Sequence, residues 1–299
     1  MSVNFSHRNK EKILFIINPN SGTQPIADIN ERIGSLIDYS IFDVEGVFTE
    51  RKGHANELAK QAIIDGVNYV IAVGGDGTVN EVASALVHSK VALGIVATGS
   101  GNGLARHLKL PGEIDNAIEI INRRTLKFID SIEINNQYCF NMAGVGFDAH
   151  IANEFGKNGV RGLKGYRKLI AKEYFGFTPS NYEIFTPDEN VSVTALMVCI
   201  ANGKQWGNGA IISPKSSISD GVMDICIIQK VPMFILPFTL RKMFNNNLEN
   251  NKYIRRLKAK QAVIIQKSNL AHIDGEPRDL GTRLDIKVHP SSLNVIVNK

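Results

Sequence analysis

Three glycine-bearing turns, each between an apolar run and a stretch with helical spacing, constrain the fold of this chain more than any other feature. The turns read NPNSG from Asn18, GGDGT from Gly74 and TGSGNG from Thr98. The runs before them, ILFII, YVIAV and VALGIVA, are short and rich in β-branched residues, which predicts buried strands. Strands that alternate with helices of this length predict a parallel sheet with crossover helices.

The pattern of the sequence changes near Thr125. Beyond that point most apolar segments are short and β-branched with turns between them, which predicts antiparallel strands. Two stretches have helical character instead, Arg161 to Phe175 and Pro232 to Asn246. A chain of 299 residues is also long enough for two cores. We therefore predict an α/β domain over residues 1–129, a β-rich domain over residues 130–299, and a cleft between them.

The composition is that of a folded chain with a mild preference for anions. Hydrophobic residues make up 43% and charged residues 21%, and the formal net charge is +5. That charge suits nucleotide phosphates or an anionic membrane surface. Aromatic residues make up only 7%, and no basic stripe is interleaved with them, which argues against nucleic-acid binding. The three cysteines lie in apolar runs without metal-site spacing, and the first residues lack a signal-peptide pattern, so we expect a cytoplasmic protein.

The glycine turns should lie together, because the carboxyl ends of parallel strands share one edge of a sheet. Backbone N–H groups and helix N-termini gather at that edge and suit a phosphate, whose approach side chains would block. Asp76, inside the second turn, needs a cation or a substrate hydroxyl between itself and phosphates, unless it caps a helix. No P-loop or protein-kinase catalytic loop is present. GVGFDA, from Gly144, lacks a surrounding βαβ unit, and we interpret it as a turn or bulge.

Six motifs, taken in order, resemble those of the diacylglycerol kinase catalytic family. They read NPNSG, GGDGTVNEV, ATGSGNGLARHLKLP, FNMAGVGFDA, ANGKQWGNGAIISPKSSISDGVMDI and IDGEP. The chain is similar to the soluble bacterial lipid kinases of that family, which resemble diacylglycerol, sphingosine and ceramide kinases. The resemblance implies an NAD kinase-like α/β domain and a sandwich-like second domain, with ATP bound between them. It also implies a Mg²⁺ requirement and transfer of the γ-phosphoryl group to a lipid hydroxyl, with diacylglycerol as first choice.

The resemblance further implies roles for individual residues. It assigns nucleotide binding to residues of the three turns and the following helix: Asn18, Ser21, Gly22, Gly74, Gly75, Asp76, Gly77, Thr78, Glu81, Thr98, Gly99, Ser100, Gly101 and Asn102. Asp274 of IDGEP would be the general base, with Glu276 beside it, although some relatives give that role to the acid equivalent to Asp76. A structural metal near SDGVMD would use Asp220 and Asp224.

Several alternatives remain open from the sequence. SGNGLA is closer to the sphingosine and ceramide kinase version of the motif, which leaves the lipid undecided. GGDGT is shared with NAD kinase, which phosphorylates a soluble dinucleotide. A non-catalytic nucleotide- or lipid-binding module would keep the glycines without needing Asp274. The sequence does not predict an oligomeric state.

A membrane contact is suggested by VPMFILPFTL, from Val231, which Arg241 and Lys242 follow. Five more basic residues lie between Lys252 and Lys260. Apolar side chains beside basic ones suit transient docking on an anionic membrane. The alternative is a core helix with a solvated basic neighbour.

Overall fold

The computed structural model describes residues 10–22, 26–99, 101–157, 162–207, 210–245 and 251–298. The first part of the chain alternates strands and helices: β1 (Glu11–Ile17), α1 (Ile26–Leu36), β2 (Phe42–Phe48), α2 (His54–Ile64), β3 (Tyr69–Gly74), α3 (Asp76–Leu86), β4 (Ala92–Ala97), α4 (Gly103–His107) and α5 (Ile114–Arg123). The strands pair in parallel in the order β2-β1-β3-β4. The predicted parallel sheet is confirmed.

Alternate side chains of these strands enter two cores, one on each face of the sheet. Leu14 and Ile16 pack with α2 and α3, whereas Ile13, Phe15 and Ile17 pack with α1 and α5. Because helices cover both faces, the strands need apolar residues at every position. This explains why they read as continuous apolar runs in the sequence.

The second part of the chain is mostly strand. Its elements are β5 (Leu126–Ile134), β6 (Gln137–Cys139), β7 (Met142–Gly146), α6 (Phe147–Lys157), α7 (Gly162–Gly176), β8 (Ser180–Phe185), β9 (Asn190–Ala195), β10 (Met197–Ala201), β11 (Gln205–Gly207), β12 (Ala210–Ile211), β13 (Met223–Ile228), α8 (Leu236–Phe244), β14 (Ile254–Ala259), β15 (Gln261–Ile265), β16 (Leu270–Ile273), β17 (Glu276–Asp279) and β18 (Arg283–Ile296). The two predicted helical stretches correspond to α7 and α8.

The interpretation of GVGFDA as a turn or bulge is wrong. Gly146, with φ +80°, ends β7, and Phe147 begins α6 without an intervening loop. Phe147 and Ile151, one helical turn apart, are both buried against the neighbouring sheet. This helical spacing was present in the sequence, but the glycines before it masked the helix start.

Two antiparallel layers form a sandwich in the second part, as expected from the family resemblance. One layer contains β5, β6, β8, β9, β15 and β18, and the other runs β14-β13-β10-β7-β16-β17. Ile132, Tyr182 and Ile264 of the first layer share a core with Val145 and Ile225 of the second. Helices α6, α7 and α8 cover the outer face of the second layer. The β16–β17 hairpin of this layer contacts the first domain through the hydrogen bond between Asp274 and Asn80.

Strand β18 connects the two halves of the molecule. Its first residues pair with β15, most of its length pairs with β5, and Val295 pairs in parallel with Leu93 of β4. Over the described residues, one ten-stranded sheet therefore continues from the α/β part into the sandwich. The boundary between residues 129 and 130 lies inside β5 and stays a prediction.

Candidate active site

The three glycine turns meet at the carboxyl edge of the parallel sheet. The N–H of Asn18 donates to the Val73 carbonyl at 2.9 Å, and the N–H of Thr98 donates to the Gly74 carbonyl at 2.9 Å. The Thr98 hydroxyl then donates to Ser21 Oγ at 2.9 Å. These bonds join the first and third turns across the second.

The turns approach each other so closely that side chains would not fit. A Cβ on Gly99 would lie 2.7 Å from Gly75 Cα, and one on Gly22, whose φ is +81°, would lie 2.6 Å from the Thr98 carbonyl oxygen. A Cβ on Gly101 would lie 2.4 Å from a carboxylate oxygen of Asp76. The glycines thus allow three backbone segments to converge. Ser100, also predicted to bind nucleotide, lies outside the described residues.

Helix α3 starts at this junction. Its first residues are Asp76, Gly77 and Thr78, and the first N–H groups of a helix have no partner within the helix. Thr78 is buried and its Oγ1 accepts from Asn18 Nδ2 at 3.0 Å, so these two predicted residues hold the first turn on the helix. A Cβ on Gly74 would lie 2.5 Å from Thr78 Oγ1. The N-terminus of α3 and the glycine turns thus lie together at one edge of the sheet, an arrangement that suits an anion.

Asp76 binds the backbone of the third turn. Its two carboxylate oxygens accept from the N–H groups of Asn102 at 2.8 Å and Gly103 at 2.6 Å, where α4 begins. Burial raises the pKa of Asp76, the two N–H donors act against this, and the charges of Asp274 and Glu276 raise it further. Asp76 thus caps the start of α4, whereas the capping role considered from the sequence concerned the next helix, α3, of which Asp76 is the first residue. Each oxygen still keeps lone-pair capacity for another partner.

Asp274 lies at the tip of the β16–β17 hairpin. Ile273 and Glu276 pair across the hairpin, and Asp274 and Gly275 between them have φ of +49° and +87°. Two central residues with positive φ define the type I′ turn that Asp-Gly favours. The carboxylate accepts hydrogen bonds from five donors: Asn80 Nδ2 at 2.8 Å, the N–H groups of Phe140 at 3.0 Å, Asn141 at 2.8 Å and Met142 at 3.1 Å, and Cys139 Sγ at 3.3 Å.

Glu276 and Asn80 bring the two domains together. Glu276 Oε2 lies 3.7 Å from Lys52 Nζ, and its Oε1 lies 3.7 Å from the position of a Cβ on Gly77. Asn80, on the same helix as Asp76 and one turn further on, reaches Asp274. Neither Asn80 nor Lys52 was selected from the sequence. The spacing of four residues between Asp76 and Asn80 would have placed both on one face of the predicted helix. The three predicted acids thus converge on one cleft.

Glu81 contacts the start of α2, and its role in nucleotide binding stays a prediction. Its Oε1 accepts from the N–H of Gly53 at 2.8 Å, and its carbonyl accepts from Asn56 Nδ2 at 2.8 Å. Both contacts hold the start of α2. Glu81 also lines a cavity of about 420 Å³ at the domain junction, together with Ile273 and Arg278.

Asp220 and Asp224 lie near a cation of the protein. Lys258 Nζ is 3.4 Å from Asp220 and 4.0 Å from Asp224, and Ser216 donates to Asp224 at 2.5 Å. Among the described residues, no group of three or more histidine, cysteine or acidic side chains is arranged to hold a metal. A metal at this turn stays a prediction.

Two family models match the chain. The diacylglycerol kinase catalytic domain matches residues 12–134, and the YegS C-terminal NAD kinase beta sandwich-like domain matches residues 141–297. A protein of Yersinia pestis (strain Pestoides F), named "Probable lipid kinase YegS-like", is 29% identical over 288 residues, which cover 94% of this chain and 95% of that protein. The two matched regions meet at the cleft that contains the three acids.

Solved structures share the whole fold. A crystal structure of a diacylglycerol kinase from Bacillus anthracis str. Sterne superposes with a TM-score of 0.76 at 23% sequence identity, covering 96% of this chain and 97% of that chain. A second structure from the same organism gives a TM-score of 0.81 at 23% identity, with the same coverage. At this level of identity the likeness concerns the fold.

Proposed function

Because the chain belongs to the diacylglycerol kinase catalytic family and is a lipid kinase, we propose that it transfers the γ-phosphoryl group of ATP to the hydroxyl of diacylglycerol. The observation that carries this proposal is the convergence of the glycine-turn cradle with three acids from both domains. Phosphoryl transfer needs phosphate positioning, charge neutralisation and a proton acceptor more than covalent chemistry by the protein. The cleft supplies groups suited to each task.

ATP phosphates would occupy the cradle formed by the three turns and the start of α3. Support comes from the close approach of the turns at Gly22 and Gly99, where a side chain would collide with neighbouring backbone, and from the N-terminus of α3 that lies among them. Lys52, more than half exposed beside Glu276, is a cation within the same cleft. We therefore propose the predicted nucleotide residues as a phosphate site, with Glu81 supporting its wall through Gly53.

Mg²⁺ fits the donor groups of this cleft. Protein Mg²⁺ sites in kinases usually combine one or two carboxylates with substrate phosphates, and they retain several waters. Asp76 has lone-pair capacity beyond its two backbone bonds, and its raised pKa reflects burial together with the negative charge around it. Asp76, with Glu276 nearby, would hold the ion, whose chemistry is to neutralise phosphate charge.

Asp76 is also the carboxylate that we propose as proton acceptor for the lipid hydroxyl. A carboxylate offers roughly four lone-pair sites, and five donors already surround Asp274. Asp76 keeps lone-pair capacity beyond its two backbone bonds, and general-base help is worth about 10²- to 10⁴-fold. Asp274 would instead hold its hairpin against β6, β7 and α3. Its assignment as the base remains the alternative.

The acceptor lipid is tested by competition among alcohols. The purified protein is incubated with γ-labelled ATP, Mg²⁺ and one acceptor at a time: diacylglycerol, sphingosine or ceramide in mixed micelles, or NAD in solution. Thin-layer separation should show label in phosphatidic acid at the highest rate. Preferential labelling of a sphingoid base would change the substrate, and labelling of NAD alone would overturn lipid phosphorylation.

We further propose that the protein docks on the cytoplasmic surface of an anionic membrane through the start of α8. Met233, Phe234 and Phe238 expose 64%, 77% and 68% of their surface, and Arg241 and Lys242 follow in the last turn of the helix. Apolar side chains beside cations suit the interface of an anionic bilayer. All three cysteines are free and buried, in keeping with a reducing compartment. In the described part of the chain, no helix has the length and apolarity needed to cross a bilayer.

The basic stretch after α8 is less suited to this docking than the sequence indicated. Arg255 pairs with Glu189, and Lys258 lies 3.4 Å from Asp220. Arg256 donates to the Ile212 carbonyl at 2.8 Å. Replacing these residues would disturb internal contacts as well as surface charge.

Vesicle sedimentation tests the docking site. Phe234→Ser with Phe238→Ser should reduce binding to phosphatidylglycerol-containing vesicles by about tenfold or more, because each phenylalanine loses ~1 kcal/mol or more of membrane burial. Phe48→Ser with Phe128→Ser is a matched control, since these residues are 43% and 56% exposed elsewhere on the surface. Equal vesicle binding by the two double variants would place the contact elsewhere.

A further inference from the structure

A buried histidine–aspartate pair lies directly behind the hairpin that carries Asp274. His272 Nε2 is 2.6 Å from Asp148 Oδ2, and both side chains are only 4% exposed. His272 belongs to β16, and Asp148 belongs to the first turn of α6. Burying these two polar groups costs free energy unless they are paired, so their pairing fixes the position of both.

Gly144 makes room for this pair. A Cβ on Gly144 would lie 2.4 Å from Asp148 Oδ2 and 2.8 Å from His272 Nε2. Asp148 Oδ2 also accepts a hydrogen bond from Cys199 Sγ at 3.5 Å. The GVGFDA motif thus supplies both the acid and the space for the histidine, a role distinct from dinucleotide binding.

The pair determines which nitrogen of His272 carries the proton. An ionised carboxylate only accepts, so His272 Nε2 must donate to Asp148. The N–H of Gly275 donates to Nδ1 at 3.3 Å, and this bond requires the neutral ring, protonated at Nε2. Burial lowers the pKa of His272 and the charge of Asp148 raises it, with a net rise, so acidification would convert the ring to the imidazolium and remove the Gly275 contact. Gly275 is the second central residue of the type I′ turn, next to both Asp274 and Glu276.

We infer that His272 is a positioning residue for the phosphoryl-transfer reaction, and that Asp148 orients it to hold the Gly275 backbone. Asp274 has a φ of +49°, a conformation that costs free energy for a residue with a side chain and needs support from its surroundings. The His272 contact provides part of that support from the outer face of the second layer, between β16 and α6. The inference deepens the proposed function and rests on it, since the acids aligned by the hairpin belong to the same cleft.

Two substitutions at His272 separate its two contacts. His272→Gln can present an amide N–H near the position of Nε2, which keeps the donor to Asp148 but removes the acceptor for Gly275. His272→Asn can present an oxygen near the position of Nδ1, which keeps that acceptor but leaves Asp148 without this partner. We expect kcat to fall roughly tenfold in His272→Gln, with the ATP KM within about twofold of wild type, and to fall less in His272→Asn.

His289→Gln is the matched control. His289 Nε2 is also 2.6 Å from a carboxylate, that of Glu133, and its side chain is 16% exposed. Its substitution should lower the melting temperature without lowering kcat. An equal fall of kcat in His289→Gln and His272→Gln would mean that the loss at His272 is only structural.

Hydrogen–deuterium exchange provides a readout that does not depend on activity. Peptides containing residues 270–279 should exchange faster in His272→Gln than in wild type, and at the wild-type rate in His289→Gln. If His272→Gln does not fold, Asp148→Asn takes its place, since the amide keeps the shape of the acid but no longer fixes the imidazole proton. Faster exchange of the hairpin with lower kcat is again expected.

The outcomes distinguish this inference from the proposed function. A wild-type protein that phosphorylates no lipid contradicts the proposed function. An active wild type whose His272→Gln variant keeps its kcat and its hairpin exchange rate overturns the positioning role alone. The same holds if His272→Asn loses more kcat than His272→Gln, because the Gly275 contact would then not be the important one.

Discussion

Gly99→Ala tests whether close contact between the glycine turns forms the nucleotide site. The added Cβ would lie 2.7 Å from Gly75 Cα and 2.8 Å from Asn102 Oδ1, whereas ordinary Cβ contacts begin at 3.4 Å. The backbone at Gly75 must therefore move by about 0.7 Å, and Asp76 moves with it. Overpacking of this kind costs about 1–3 kcal/mol. A displacement approaching 1 Å in a reacting site can cost ~10²-fold, so we expect kcat/KM for ATP to fall by roughly 10- to 100-fold.

The assay combines initial rates over a range of ATP concentrations with thermal unfolding of the same preparation. Gly112→Ala is the control, because no atom lies within 4 Å of a Cβ at that position. We expect the control to match wild type in both measurements. A Gly99→Ala variant with wild-type ATP kinetics and melting temperature would refute the assignment of the three turns to the nucleotide.

Three further predictions concern the acids and a partly buried histidine. Asp76→Asn should lower kcat by at least ~10²-fold. Asp274→Asn should mainly lower the melting temperature, because the NH₂ of the new asparagine would face hydrogen-bond donors. The opposite pattern would make Asp274 the base. Glu276→Gln removes a negative charge that raises the pKa of Asp76, so the acidic limb of the plot of kcat/KM against pH should move to lower pH. An acidic limb at the wild-type pH would contradict this coupling. Burial lowers the pKa of His107 from 6.5 to about 4, so the unfolded chain takes up a proton at this residue at a higher pH than the folded protein does. Acidification from pH 6.5 to 4 should therefore lower the free energy of unfolding by about 3 kcal/mol. Urea unfolding should show this loss in the wild type and not in His107→Gln.

The sequence predicted the features that depend on local pattern. Apolar runs that end in glycine turns specify parallel strands, and parallel strands put those turns at one edge. Asp76 and the glycines could therefore be selected from the order of strands and turns alone. The IDGEP hairpin was also predictable, since Asp274 and Gly275 have the sequence preference of a type I′ turn.

Contacts between distant segments could not be predicted in this way. Asn80 and Asp274 are 194 residues apart, and their hydrogen bond depends on how the sandwich packs against α3. The saturation of Asp274 by the backbone of residues 140–142 likewise follows from tertiary packing. The ion pairs of Arg255 and Lys258 with acidic residues on other elements follow from tertiary packing too.

The stoichiometry of ADP and phosphorylated lipid in one reaction tests the central claim most directly. Wild-type protein is mixed with γ-labelled ATP, Mg²⁺ and diacylglycerol micelles, and both products are quantified at successive times. We predict equal amounts of ADP and labelled phosphatidic acid from the first time point, with neither product formed by Asp76→Asn above background. Formation of ADP without labelled lipid would show ATP hydrolysis and contradict phosphoryl transfer to a lipid alcohol.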